Sequence, residues 1–201
     1  MLHNKFDKIF CINLDRRSDR WENVQQEFQK HGIENVERFS AIDGNIHNIT
    51  TNLLSGEIGC LLSHIEIVKK AKELGLKNYL VFEDDVEFKN NFNELFDKFN
   101  TQLPEDWDMV YLGGSNIDKP NEISDNVIKL NNTYTSHSIV IKNTLYDIIL
   151  DMLPKMEKQV DVYFAELQKK YNCYCVTPTL VWQVSGYSDI QMKETNYTFL
   201  K

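Results

Sequence analysis

The sequence contains few cysteines, no long hydrophobic run and no recognisable leader, and each absence excludes a class of protein. Four cysteines in 201 residues are too few and too scattered for a disulfide scaffold. The apolar runs fall short of the ~20 residues that a transmembrane helix needs, and the polar start of the chain does not match a signal peptide. We therefore expect a cytoplasmic protein without a transmembrane segment, which could still associate peripherally with a membrane.

An excess of basic residues is also missing. The net charge of -8 argues against a nucleic-acid partner, because binding to phosphates requires a basic protein surface. A small anionic ligand stays compatible with this charge if a local cluster of cations or a bound metal ion receives it. The oligomeric state is left open.

Hydrophobic periodicity along the chain alternates between strand and helix, without an internal repeat. This alternation predicts an α/β fold with a mostly parallel sheet, and the length fits one domain. The segments 45–54 and 115–126 are predicted to be irregular. Strands are predicted over 8–14, 36–42, 79–82, 108–112, 127–130, 135–141 and 173–177, and helices over 18–32, 56–74, 92–99, 143–152 and 161–171.

Three polar groups follow the ends of predicted strands, namely 13–20, Asp43-Gly44 and 83–85. Ligands of parallel α/β sheets bind beyond the carboxyl ends of the strands. We therefore expect these groups to gather at one edge of the sheet.

The acidic triplet Glu83-Asp84-Asp85 directly follows the apolar run 79–82. Adjacent carboxylates repel one another, and Mg²⁺ or Mn²⁺ would compensate their charge. Strand alternation favours Glu83 and Asp85 as the pair that faces the site, with Asp84 pointing elsewhere. A solvated acidic turn is the alternative, and the buried approach to the triplet favours a metal site over it.

Three arginines, Arg16, Arg17 and Arg20, stand between the first strand and its helix. A helix N-terminus attracts phosphate, and arginine binds phosphate oxygens bidentately. A surface ion-pair network with Asp15 and Asp19 is an equally good interpretation of the same residues.

The start of the second long helix, 56–64, carries two glycines that permit close backbone approach, followed by Ser63 and His64. Both side chains could reach a ligand, although a lone histidine is more often structural. Asp161 opens a later helix, where it could be an N-cap or a general base.

Taken together, these segments resemble glycosyltransferase family 25, the bacterial lipooligosaccharide galactosyltransferases and their collagen galactosyltransferase relatives. The resemblance covers most of the chain. The matching stretches are Ile12-Asn-Leu-Asp-Arg-Arg-Ser-Asp-Arg20, Phe39-Ser-Ala-Ile-Asp-Gly44, Gly56-Glu-Ile-Gly-Cys-Leu-Leu-Ser-His64, Leu80-Val-Phe-Glu-Asp-Asp-Val86, Trp107-Asp-Met-Val-Tyr-Leu-Gly113 and Val160-Asp-Val-Tyr163, with Pro178 and Ser188-Asp-Ile190.

The resemblance implies a single GT-A-type domain with a Rossmann-like, mixed sheet flanked by helices. Residues 1–114 would bind a nucleotide sugar, usually UDP-galactose with UDP-glucose as the alternative, and residues 115–201 would form the acceptor side. The reaction would be an inverting transfer of a hexose to a hydroxyl of a glycan, lipooligosaccharide, glycolipid or protein. The expected nucleotide-sugar ligands are Asn13, Leu14, Arg16, Arg17, Arg20, Ala41, Asp43, Gly59, Ser63, His64, Glu83 and Asp84.

In this interpretation Asp85 and Glu83 hold Mn²⁺ or Mg²⁺ at the donor diphosphate. Asp161 is the first candidate for the catalytic base, with Asp84 and Asp108 as alternatives. Some relatives place a late histidine near the metal, and the corresponding segment 181–185 contains none. The third metal ligand, the donor sugar, the acceptor and the linkage are therefore open.

Two other functions are compatible with the sequence. A domain of the same fold could bind a nucleotide sugar or a glycan without turning it over. A receiver-like phosphoacceptor domain also places acids at a strand end, but the position after its first strand is Asn13 here and no partner lysine is evident.

Overall fold

The structure is a computed structural model that describes Leu2, residues 5–46 and residues 50–201. The predicted irregular segment 45–54 therefore lies partly outside the described residues. The helices are α1 (Ser18–Lys30), α2 (Ser55–Glu73), α3 (Phe92–Gln102), α4 (Tyr146–Met152) and α5 (Val160–Gln168). The strands are β1 (Ile9–Asn13), β2 (Val36–Ser40), β3 (Asn78–Glu83), β4 (Val86–Phe88), β5 (Met109–Tyr111), β6 (Ser115–Asn116), β7 (Asn121–Ser124), β8 (Val127–Lys129), β9 (Thr133–Tyr134), β10 (Ser138–Lys142), β11 (Cys173–Val176), β12 (Val181–Gln183), β13 (Gly186–Ser188) and β14 (Lys193–Thr195).

The centre of the molecule is an eight-stranded sheet in the order β2-β1-β3-β10-β5-β11-β8-β7. Six of its strands run in one direction, and β10 and β8 run against them. The predicted α/β class, with a Rossmann-like, mixed and mostly parallel sheet flanked by helices, is confirmed. No helix among the described residues is long and apolar enough to cross a membrane.

Strand β3 is buried on both faces because helices cover both sides of it. Phe82 packs against Phe28 of α1 with ring centroids 5.4 Å apart. Tyr79 packs against Tyr146 of α4 at 5.8 Å. Side chains three residues apart on a strand point to opposite faces, so α1 and α4 lie on opposite sides of the sheet. This explains why the run 79–82 is continuously apolar instead of alternating.

The register of the parallel strands collects their polar ends. Asn13 at the end of β1 pairs with Ser40 of β2, and Ile12 pairs with Glu83 of β3. The carboxyl ends of β1, β2 and β3 therefore meet at one edge of the sheet, as the sequence predicts.

The short strands are where the sequence-based prediction fails. The predicted loop 115–126 contains β6 and β7, and the predicted strand 135–141 begins only at Ser138. Outside the main sheet, β4 pairs with β12, β13 with β14, and β6 with β9. These strands have two or three residues each, which is too short for a periodic pattern. Backbone pairing holds them, to a distant segment for β4 and β12 and within a local hairpin for β13 and β14.

Candidate functional site

A cavity of about 570 Å³ opens at the carboxyl edge of β1, β2 and β3. The start of α2, the start of α5 and the segment 188–197 form its other walls. This volume lies in the range typical of small-molecule sites, roughly 300–1,000 Å³. The sequence-predicted residues that border it are Leu14, Arg16, Arg20, Ala41, Asp43, Gly59, Ser63, Glu83, Asp84, Asp85 and Asp161.

Glu83 and Asp85 converge on one amide group. The Gln183 Nε2 atom donates to Glu83 Oε2 at 3.1 Å and lies 3.4 Å from Asp85 Oδ1. The Ser136 hydroxyl donates to the other oxygen of Glu83 at 3.2 Å. Oxygens of both carboxylates therefore face the Gln183 amide from the same side of the site. Oxygen donors of this kind suit Mg²⁺ and Mn²⁺, so the residues present fit the predicted metal.

Asp84 does not point away from the site, as strand alternation alone would require. Strand β3 ends at Glu83, and the two aspartates form a turn in which alternation no longer applies. The Asp84 carboxylate accepts hydrogen bonds from Asn13 Nδ2 at 2.7 Å and from Arg20 at 2.9 Å. Arg20 also reaches Asp85 at 3.4 Å, so one guanidinium bridges both aspartates.

Burial disfavours the ionised form of two carboxylates in the triplet. Burial, together with the charges of Asp85 and Asp84, raises the pKa of Glu83 to about 8. Burial also raises the pKa of Asp85 to about 6, although Arg20 opposes this shift. A site that disfavours its own negative charge gains from a bound cation.

Arg16 and Arg20 border the cavity from the loop after β1 and the first turn of α1. Arg16 forms ion pairs with Asp43 and, at 3.1 Å, with Asp189. Arg20 donates a further hydrogen bond to the carbonyl of Tyr187 at 2.5 Å. Both guanidinium groups are thus oriented by the walls of the cavity.

Arg17 does not border the cavity, contrary to the prediction. Its guanidinium is engaged by Asp19 at 3.0 Å and by Asp189. The alternative ion-pair interpretation therefore describes Arg17, while Asp15 pairs with Arg38 instead.

Asn13 and His64 are also displaced from their predicted positions at the nucleotide. Asn13 is buried behind the cavity, where it donates to Asp84 and to the carbonyl of Arg17 at 3.0 Å. His64 is fully buried and packs edge-on against Phe164, with ring centroids 5.6 Å apart. The apolar stripe of α2 turns His64 toward the core.

The glycines of α2 allow the helix to approach the loop after β2. A Cβ atom on Gly59 would lie 2.4 Å from the carbonyl oxygen of Ile42. The Ser63 hydroxyl accepts a hydrogen bond from the Ile42 N–H at 2.9 Å and donates to the Gly59 carbonyl at 2.7 Å. These contacts position Asp43 at the rim of the cavity.

Asp161 borders the cavity from the first turn of α5. The N-cap of α5 is Gln159, so the N-cap interpretation of Asp161 is wrong. Its carboxylate accepts backbone hydrogen bonds from Val162 and Thr135, and burial raises its pKa. Thr135 has a φ of 71°, a left-handed conformation that is costly for a β-branched residue and that clusters at functional sites.

Asp108, the other alternative base, lies away from the cavity. It accepts hydrogen bonds from the Thr144 hydroxyl at 2.7 Å and the Asn172 N–H at 3.0 Å. These contacts give it a structural role at the opposite end of β5.

Several residues of the cavity carry no signal that the sequence reasoning used. Gln183, Ser136 and Thr135 reach the site only because short strands and turns return to it. Asp189 lies in the matched stretch 188–190, but only the structure shows its ion pairs with Arg16 and Arg17.

Comparison with known proteins identifies the family. The family model "Glycosyltransferase family 25 (LPS biosynthesis protein)" matches residues 6–175, most of the chain. The protein belongs to glycosyltransferase family 25. The resemblance drawn from its motifs is thereby confirmed.

Its similarity to individual relatives is moderate. Procollagen galactosyltransferase 2 of Mus musculus is 31% identical over 149 residues, which cover 62% of this chain and 24% of that protein. Inactive glycosyltransferase 25 family member 3 of Homo sapiens is 30% identical over 138 residues, which cover 58% of this chain and 23% of that protein. The chain thus spans about a quarter of the length of these relatives.

Among solved structures, a glycosyltransferase involved in the glycosylation of the major capsid of PBCV-1 superposes with a TM-score of 0.43 and 11% identity, covering 73% of this chain and 65% of that one. A likeness this distant adds nothing to the assignment, which depends on the sequence match.

Proposed function

We propose that this protein transfers a hexose, galactose in the first instance, from a UDP-sugar to a hydroxyl of a glycan, lipooligosaccharide, glycolipid or protein, with inversion at the anomeric carbon. The observation that supports the proposal is the meeting of Glu83 and Asp85 with Arg16 and Arg20 around one cavity. Carboxylates that share a cation and arginines that bind phosphate are the two halves of a diphosphate site. Membership of the family supports galactosyl transfer in general.

On the donor side, Asp85 and Glu83 would hold Mn²⁺ or Mg²⁺. The bound cation would stabilise the negative charge that develops on the leaving UDP. Arg16 and Arg20 would bind the phosphate oxygens from the other side. Asp84 is engaged by Asn13 and Arg20, so we assign it to positioning Arg20 and not to proton transfer.

On the acceptor side, Asp161 would remove the proton from the attacking hydroxyl. Asp161 borders the same cavity as the acidic triplet but belongs to the part of the chain beyond residue 114. The elevated pKa of Asp161 suits a base better than that of an ordinary aspartate. We accordingly propose that residues 1–114 bind the donor and that residues 115–201 contribute the acceptor side.

The proposal is tested by measuring UDP release from UDP-galactose and UDP-glucose with Mn²⁺, with Mg²⁺ and with a chelator. We expect UDP release to require both the metal ion and an added extract that contains the acceptor. Asp85→Asn should abolish the UDP release that the metal supports. Asp151→Asn, in an exposed ion pair with Lys155, should leave that release unchanged. UDP release that is equal with chelator would contradict the metal-assisted mechanism.

A binding-only domain of the same fold is the second candidate. It is favoured by the matched human relative that carries the name of an inactive family member. Thermal shift against a panel of UDP-sugars detects a bound donor in either case. UDP release from the same donor then separates the two functions, because turnover occurs only in the enzyme. Membership of family 25 argues against the receiver-like alternative.

A further inference from the structure

A second group of metal donors lies in the wall of the cavity, and it does not include Asp85. Cys60 and His64 are four residues apart on α2, so their side chains share one face of the helix. That face meets the end of β3 at Glu83. One donor atom each from Cys60, His64 and Glu83 lie within 4.8 Å of one another. Across residues 5–46 and 50–201, no other three donors of this kind are so close.

His64 needs an explanation that packing does not provide. It is fully buried, and neither of its ring nitrogens has a hydrogen-bond partner in the described part of the chain. A buried polar group left without a partner costs about 1–3 kcal/mol. Burial lowers the pKa of His64 to about 4, so the imidazole is neutral at pH 7 and offers a free lone pair. A neutral imidazole is the form that binds metal ions.

Cys60 completes the donor set from the side of the cavity. It is half-buried and borders the cavity, as does Glu83. Its sulfur lies within 4.8 Å of the donor atoms of His64 and Glu83. A metal ion displaces the thiol proton and takes the thiolate as a ligand.

We propose that Cys60, His64 and Glu83 bind one Zn²⁺ ion. Sulfur, nitrogen and carboxylate oxygen together are the donor set of zinc, whereas Mn²⁺ and Mg²⁺ prefer oxygen alone. Cys60 and Glu83 border the cavity, which gives the ion a path of entry to the buried His64. Binding releases the Cys60 proton to solvent.

The surroundings of the ligands set the expected affinity. Ser136 and Gln183 hydrogen-bond the Glu83 carboxylate and orient it. The second nitrogen of His64 has no acceptor among the described residues. Such an outer hydrogen bond contributes roughly 10–100-fold to affinity, so the site should bind less tightly than a fully supported zinc site. The zinc site shares Glu83 with the proposed donor-metal site, but Cys60 and His64 belong to it alone, so it can be tested apart from sugar transfer and in a binding-only domain as well.

Cobalt titration of chelator-treated protein tests the site. Co²⁺ bound by a thiolate gives a charge-transfer band in the near ultraviolet, and we expect this band to saturate at one ion per chain and to vanish when Zn²⁺ is added. Cys60→Ser should abolish the band, and His64→Gln should weaken cobalt binding by roughly 10-fold or more. Cys175→Ala, which removes a buried thiol elsewhere, should keep it.

A measurement on the wild-type protein tests the site without a variant that could fail to fold. Alkylation followed by mass spectrometry should modify Cys60 at the cavity, and Zn²⁺ should protect it whereas Mn²⁺ should not. A cobalt band that is absent, or that survives Cys60→Ser, overturns the proposal. So does alkylation of Cys60 at an equal rate with and without Zn²⁺.

Discussion

Asp189 forms an ion pair with Arg17, which lies 172 residues earlier in the chain. The two side chains are only 14% and 21% exposed. The second oxygen of Asp189 accepts a hydrogen bond from Arg16 at 3.1 Å. Asp189 thus fastens the C-terminal segment, which forms one wall of the cavity, to the loop that carries the arginines.

Asp189→Asn should destabilise the protein by about 1–3 kcal/mol, because it removes the counter-charge shared by the partly buried Arg17 and the exposed Arg16. Urea unfolding measures the loss, and limited proteolysis should cut the segment 184–201 faster. Asp151→Asn, in an exposed pair, should change stability by no more than about 0.5 kcal/mol. Equal stability of the two variants would mean that the segment is held by other contacts.

Arg20 is the counter-charge of two buried carboxylates. Its side chain is 18% exposed, against 10% for Asp84 and 12% for Asp85. Removing one partner of a buried ion pair costs about 3–5 kcal/mol, because an uncompensated charge remains. Arg20→Gln should therefore lose about 3 kcal/mol of unfolding free energy in metal-free protein at pH 7.

Mn²⁺ should restore part of that loss, since the cation takes over the role of the guanidinium. Chemical denaturation with and without Mn²⁺ measures the recovery. Lys72→Gln, which breaks an exposed pair with Asp147, is the matched control. It should lose little stability without metal, and Mn²⁺ should stabilise it only as much as the wild type. If Mn²⁺ stabilises Arg20→Gln no more than the wild type, the cation does not lie at these carboxylates.

Gly59→Ala should destabilise the protein even though alanine is the better helix former. Replacing an interior helix glycine by alanine ordinarily gains ~0.5–1 kcal/mol. Here the new Cβ would lie 2.4 Å from the Ile42 oxygen and 2.8 Å from the Gly44 nitrogen. Both neighbours are backbone atoms, so the loop must move, at a cost of about 1–3 kcal/mol.

The displaced loop carries Asp43, so weaker binding of UDP should accompany the loss of stability. Calorimetric titration with UDP and Mn²⁺ measures the binding. Lys69→Ala, on the solvent-facing side of α2, should alter neither property. Unchanged binding of UDP by a destabilised Gly59→Ala would place Asp43 outside the donor site.

The parts of the fold that could be predicted are those with long, regular patterns. The apolar run 79–82 predicted a buried strand. The parallel pairing of this strand with β1 then places Glu83 at the same edge of the sheet as Asn13. Gly32 and Gly75, at φ of 63° and 66°, follow the last turns of α1 and α2, close to the predicted helix bounds of 18–32 and 56–74. In each case one local signal agreed with the tertiary structure.

The parts that could not be predicted depend on contacts between distant segments. Arg16, Arg17 and Arg20 look alike in sequence, and only the structure shows that Arg16 and Arg20 border the cavity. Arg17 is instead engaged by Asp19 and Asp189. Ser63 and His64 are adjacent on α2, but the helix directs them differently. Ser63 borders the cavity, whereas His64 packs against Phe164. Gln183 enters the site through the pairing of β12 with β4, which has no local signature.

The proposed base gives transfer activity a defined pH dependence. Burial raises the pKa of Asp161 above its ordinary value of 3.8. A base acts in its ionised form, so the rate should fall as the pH falls through this raised pKa. Asp161→Asn should lower kcat by ~10²–10⁴-fold and remove that acid limb, with the affinity for UDP unchanged. Asp151→Asn should keep both the rate and the limb.

The raised pKa of Asp161 also predicts that Asp161→Asn, which lowers activity, raises stability. This combination separates a catalytic carboxylate from a structural one. An acid whose pKa is higher in the folded than in the unfolded protein stabilises the fold only below the unfolded value, and this stabilisation is lost as the pH rises through the folded value. Asp161→Asn keeps an oxygen that can accept the backbone N–H groups of Val162 and Thr135 but cannot ionise. The variant should therefore be more stable than the wild type at pH 7, and this advantage should disappear below about pH 4. Urea unfolding across that range measures the difference. A variant that is less stable at pH 7 and retains full activity would show that Asp161 only holds the Thr135 turn in place.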